Sequence, residues 1–132
     1  MTFNEEHAIE TYKSLISIGS QALKTLQLLN GGAIIALLAY LGQVSVRPEV
    51  ARRVSGALLF FVLGLVAGTL AYLTTYFTQF ALYQESIQGA LFVGRSHTLW
   101  LRITVALAAA SLALFGWGAF TGVKALAYGS CN

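Results

Sequence analysis

Positions 25–46, 54–84 and 103–123 of this chain hold no charged side chain. A helix needs about 20 mainly apolar residues to cross roughly 30 Å of hydrocarbon at 1.5 Å per residue, and each stretch is long enough. The chain therefore reads as an all-α membrane protein with three transmembrane helices. Composition agrees, since 57% of residues are hydrophobic and 10% are charged, against about a quarter charged in a soluble domain. With 132 residues and three spans, the chain leaves too little for a separate soluble module.

The formal charge of +3 comes from eight Lys and Arg, set at the ends of the apolar runs rather than gathered in a patch. That arrangement suits phospholipid headgroups and argues against nucleic acid as a partner. Glu5, Glu6 and Glu10 stand where a signal peptide would place Lys or Arg, so the first span is expected to serve as its own insertion signal. Cys131 is the only cysteine, so no internal disulfide can form and the redox compartment cannot be read.

Asn4 is a candidate N-cap, Glu5 and Glu6 suit a first helical turn, and Thr2 with Glu5 offers a capping box. From there a stripe of Ile9, Tyr12, Ile16, Gly19, Leu23, Leu26, Asn30, Ala33, Leu37 and Tyr40 recurs at steps of three and four. This divides the first segment into an amphipathic helix over 4–24 and a span over 25–46. One reading extends the span as a rod that buries Ile9 to Leu26 against another helix, with Gly19 and Asn30 as weak points in the seam. The other lays residues 4–20 flat on the headgroups.

A helix over 54–84 would be about 46 Å long, more than a bilayer needs, so part of it must leave the membrane. The polarity of Thr74, Thr75, Tyr76, Thr78, Gln79, Tyr83 and Gln84 puts the exit near Tyr76, giving a span over 54–77 with a helical overhang to about 88. Pro48 and Glu49 fit the first turn of this helix, so Gly42 to Arg47 make a tight hairpin. Both overhangs then emerge on one face as each other's expected packing partner. Gly89 and Gly94 mark the return loop, Ser96 can cap the third helix, and Trp100 and Trp117 bracket a span over 99–121. Lys13, Lys24, Arg95 and Arg102 fall on one side and Arg47, Arg52, Arg53 and Lys124 on the other, so the positive-inside rule gives a tie. The cluster at the hairpin favours placing that end in the cytoplasm. The cost of moving a charged tail of about 24 residues across favours a cytoplasmic N-terminus, which is the expectation adopted here.

Small residues form stripes at four-residue spacing: Gly32 and Ala36 on the first span, Gly56, Gly64 and Gly68 on the second, and Ala106, Ala110, Gly118 and Gly122 on the third. Such stripes let helix backbones approach closely, either within one chain or between copies in an oligomer. Asn30, Thr69, Tyr72, Thr104 and Ser111 are the polar groups near the hydrocarbon. They suit interhelical hydrogen bonds or, as the sharper reading, the lining of an aqueous or quinone-sized cavity. No ionisable residue lies between the apparent interfaces, which argues against ion-coupled transport.

The chain has no Asp. His7 and His97 would share a face with Glu5, Glu6, Glu10 and Glu85, but their spacing matches no metal motif, and solvated interfacial histidines explain them better. Cys131 falls on the opposite face from both, so no nucleophile and base are paired. The expectation is a non-enzyme with no cofactor.

The segments Ala22, Leu23, Lys24, then Leu28 to Ala33, and Arg95, His97, Thr98, Trp100, Leu101, Arg102 resemble uncharacterised small three-span bacterial membrane proteins. That resemblance implies the bacterial inner membrane and carries no activity with it. Two functions are therefore weighed: an interaction or accessory protein that self-associates or docks to a larger membrane complex, and an oligomeric pore-forming effector of holin or defence type. Expected partners are the lipid bilayer and a second copy or another membrane protein.

Overall fold

The structure is a computed structural model that describes residues 3–43, 47–88 and 96–130. It contains three long helices, α1 (Phe3–Leu41), α2 (Pro48–Gln88) and α3 (Ser96–Ser130). At 39, 41 and 35 residues, they are about 58, 61 and 52 Å long, so each exceeds a bilayer's hydrocarbon thickness. All three are long and apolar enough to cross a membrane.

The local chemistry at the hairpin explains where α1 stops and α2 starts. The amides of Gly42 and Gln43 donate to the carbonyls of Leu38 and Tyr40, closing the end of α1. Pro48 opens α2, where its missing N–H is no loss, and the Ala51 amide donates to the Arg47 carbonyl at 2.9 Å as the first bond of the new helix. Thr2, Gly89, Gly94, Arg95 and Cys131 lie outside the described residues.

Several boundaries differ from the sequence reading. The amphipathic segment and first span are one uninterrupted helix, so residues 4–20 do not turn aside to lie flat; α1 also ends at Leu41, short of 46. The third helix, Ser96–Ser130, extends past both ends of the span expected over 99–121. No proline is present to end it, and Gly122 sits at a close approach to Ala57 inside the helix pair.

The helices are unequally joined. α2 and α3 are zipped along their length by Val54 and Ala125 at the hairpin end, Ala57 and Phe61 against Gly122 and Gly118, and Thr74 bonded to Thr104. Phe61 packs edge-on against Phe115, with ring centroids 5.6 Å apart, and Phe77 stacks on Trp100 at 5.2 Å. α1 joins this pair through Leu37, Tyr40 and Leu41, which pack on the core of Val50, Val54 and Ala125. It stays in contact as far as Asn30 and Leu23, both buried. Beyond that it parts from its neighbours.

Candidate functional site

All three helices meet at a polar clasp within the spans. Asn30 of α1 is fully buried; its Nδ2 donates to the Leu26 carbonyl at 3.0 Å and to Ser111 Oγ at 3.4 Å. Ser111 of α3, also fully buried, donates to the Gly64 carbonyl of α2 at 2.8 Å. Asn30 Oδ1 has no conventional donor among the described residues. It lies against Gly64, where a Cβ would overlap it, so it faces the Cα–H that the Cβ would replace. Weak contacts of this type recur where helices approach closely. A Cβ on Gly68 would stand 3.2 Å from Ser111 Oγ. The Gly64 and Gly68 pair thus makes room for a polar group from each neighbouring helix, because an unpaired amide in hydrocarbon would be costly.

The clasp also fixes the depth of the molecule. At 1.5 Å per residue, Arg53 and Lys124 lie about 16 and 20 Å from it toward the hairpin, whereas Lys24 and Arg102 lie about 9 and 14 Å from it the other way. These charges bound one hydrocarbon thickness. The longest parts outside the slab project on the side away from the hairpin, namely α1 from Phe3 to near Ala22 and α2 beyond Tyr76.

An apolar cleft of about 540 Å³ opens from just above the clasp between these projecting parts. Leu15, Ile16, Gly19, Leu23 and Leu26 of α1 form one wall, and Thr75, Thr78 and Leu82 of α2 with Leu101, Thr104, Val105 and Ala108 of α3 form the other. The overhangs expected to pack together are therefore held apart. Tyr12 and Leu15 are 50% and 64% exposed, and Ile9 and Ile16 are exposed as well, so the stripe is buried only from Leu23 onward. Among the lining residues are Gly19, Ser20 and Ala22 on one side and Thr75, Thr78, Thr104 and Ala108 on the other, whose short side chains leave space between the helices. The threonine hydroxyls are turned back onto their own helices, Thr75 to the Ala71 carbonyl, Thr78 to Thr74 and Thr104 to Trp100.

The opposite face of α2 carries Tyr72, Leu73, Tyr76, Phe77, Phe80 and Tyr83, all exposed, with Tyr76 at 67% and Tyr83 at 62%. They recur at helical spacing and form one aromatic face that starts at the bilayer boundary and continues past it. Sequence reasoning placed Tyr76 and Tyr83 only as signs of an exit. The spacing of 73, 76, 80 and 83 was the signal that could have shown the face.

The other expected site residues fall into two sets. Gly64, Gly68, Gly118 and Gly122 are buried between helices of one chain. Gly32, Ala36, Gly56, Ala106 and Ala110 are exposed, and a Cβ at Gly32 or Gly56 would meet nothing within 4 Å. Thr69 is exposed and bonded to the Leu65 carbonyl, and Tyr72 belongs to the aromatic face. Asn30 and Ser111 are not among the residues that line this cleft; they are bonded to each other below its inner end at Leu26 and Ala108. Glu6, His7 and Glu10 are exposed on α1; the side chains of Glu5, Glu85 and His97 and all of Cys131 lie outside the described part. Among the described residues, no three His, Cys, Asp or Glu side chains are grouped so as to hold a metal ion. No known protein family, characterised protein or solved structure matches the chain.

Proposed function

We propose that this is a non-enzymatic membrane interaction protein that self-associates or docks to a larger membrane complex through the aromatic face of α2. The observation that carries the reading is the exposure of Tyr76, Phe77, Phe80 and Tyr83 on one helix face at and beyond the bilayer boundary. Tyrosines at the boundary itself suit an interfacial belt, but a phenylalanine and a tyrosine past it leave an apolar surface in water. Large aromatics are also the residues that most often anchor protein interfaces.

The small-residue stripes have a different part in this proposal from the one expected. Gly64, Gly68, Gly118 and Gly122 are engaged inside the chain, so they are not offered to a partner. A pore built from several copies would need polar groups along its wall, and Asn30 and Ser111 are turned inward and bonded. That favours docking over permeation. The setting proposed is the bacterial inner membrane with the N-terminus in the cytoplasm, since the projecting, charged end then need not be moved across.

The test is light scattering in mild detergent with the detergent contribution subtracted, beside identification of co-purifying proteins. The expected result is a mass above the 14.1 kDa of one chain, either a discrete oligomer or a complex with another membrane protein. Phe80→Asp should lower that mass while leaving the helix content unchanged. A wild-type protein that runs as a lone monomer would overturn the reading.

A further inference from the structure

We infer that the cleft between α1 and the α2–α3 pair binds a membrane phospholipid by an acyl chain. This does not rest on the docking reading, because the cleft and the aromatic face are formed by different residues of α2.

Three observations select the occupant. The first is chemistry. The lining is mainly Leu, Ile, Val, Ala and Thr, with Tyr12, Ser20 and Gln79 as its other polar members, and the hydroxyls of Thr75, Thr78 and Thr104 are bonded to carbonyls of their own helices. Such a mainly apolar wall favours hydrocarbon over a polar ligand. The second is size. The cleft runs from Leu26 out to Tyr12, about 21 Å along α1, a long trough along which an extended hydrocarbon chain can lie.

The third is position and charge. The inner part of the cleft, at Leu26, Val105 and Ala108, lies within the hydrocarbon slab, where a lipid chain can enter from the side without crossing water. Lys24 and Arg102 immediately follow the cleft residues Leu23 and Leu101, at the level where the slab ends. Both are exposed and form no ion pair with any described residue. They place two flexible cations beside the mouth, complementary to a phosphate headgroup whose chain lies in the cleft. The outer walls, Tyr12, Leu15, Ile16 and Leu82, continue the apolar surface past that level, so the chain is drawn upward from its leaflet.

The test is native mass spectrometry of the full chain, first delipidated in mild detergent and then titrated with dioleoylphosphatidylglycerol or dioleoylphosphatidylcholine. The expected result is a single saturable lipid adduct per chain, stronger for the anionic phosphatidylglycerol. Gly19→Phe and Ala108→Phe, which fill the cleft from opposite walls, should each remove it. A Cβ at Gly19 meets nothing within 4 Å, so that variant remains informative if Ala108→Phe disturbs the fold. Circular dichroism and light scattering establish that the variants remain helical and dispersed. Absence of any saturable adduct, or adducts unchanged in both variants, would overturn the proposal. A dimer that either variant converts to monomer would overturn it in favour of a second chain in the cleft.

Discussion

Asn30 and Gly64 form a matched pair whose two sides cannot be changed independently. A Cβ on Gly64 would occupy the place of Asn30 Oδ1, and the amide cannot back away because its Nδ2 is bonded to both Leu26 and Ser111. Gly64→Ala should therefore cost about 1–3 kcal/mol, the usual penalty of overpacking. The same substitution in an Asn30→Ala background should cost far less, since the colliding group is gone. Unfolding in micelles of the two single variants and the double variant checks this; purely additive penalties would show that the contact does not constrain Gly64. Neither residue's partner could be read from the sequence. Asn30 was visible there as a polar group in an apolar span, but its spacing cannot say whether it faces a neighbour or a cavity.

At the scale of the helices, the glycines separate into those that seat a neighbour and those that face outward. Gly118 would bring a Cβ within 3.1–3.2 Å of three ring atoms of Phe61, and Phe115 stands on that ring as well. Gly118→Ala should lose about 1–3 kcal/mol because the ring is confined. Gly56 has nothing within 4 Å of a Cβ, so Gly56→Ala should be neutral or gain about 0.5–1 kcal/mol from the reduced freedom of the backbone. Chemical denaturation in detergent distinguishes the two, and equal effects would mean that the α2–α3 contact at Phe61 is not formed. The sequence treats both glycines alike, as members of the same small-residue stripes, because four-residue spacing defines a face without saying what covers it.

For the whole molecule, the charges at Arg53 and Lys124 and at Lys24 and Arg102 define a slab of one bilayer thickness, with the long projections of α1 and α2 on the side away from the hairpin. In a Cys131→Ser background, Ser17→Cys should react with a membrane-impermeant thiol reagent. Leu28→Cys should not, although Leu28 is 76% exposed, since its exposure is to lipid. Ser17→Cys and Tyr83→Cys should label from the same side of sealed vesicles and Arg52→Cys from the other. Labelling of Leu28→Cys in intact membranes would move the slab.

The sequence by itself determined that the chain crosses a bilayer three times, because the length and purity of an apolar run report the cost of placing charge in hydrocarbon. It also determined the hairpin at Pro48, since the missing amide and fixed φ act locally, and the projection of both overhangs on one face, which follows from helix length alone. Only the tertiary structure decided that Gly64 and Gly68 seat Asn30 and Ser111, that α1 leans away beyond Leu23, and that a cleft remains where packing was expected. Those outcomes depend on which short side chains come to face one another across three helices. A periodic pattern records the direction of a face and carries no measure of the distance to what lies opposite.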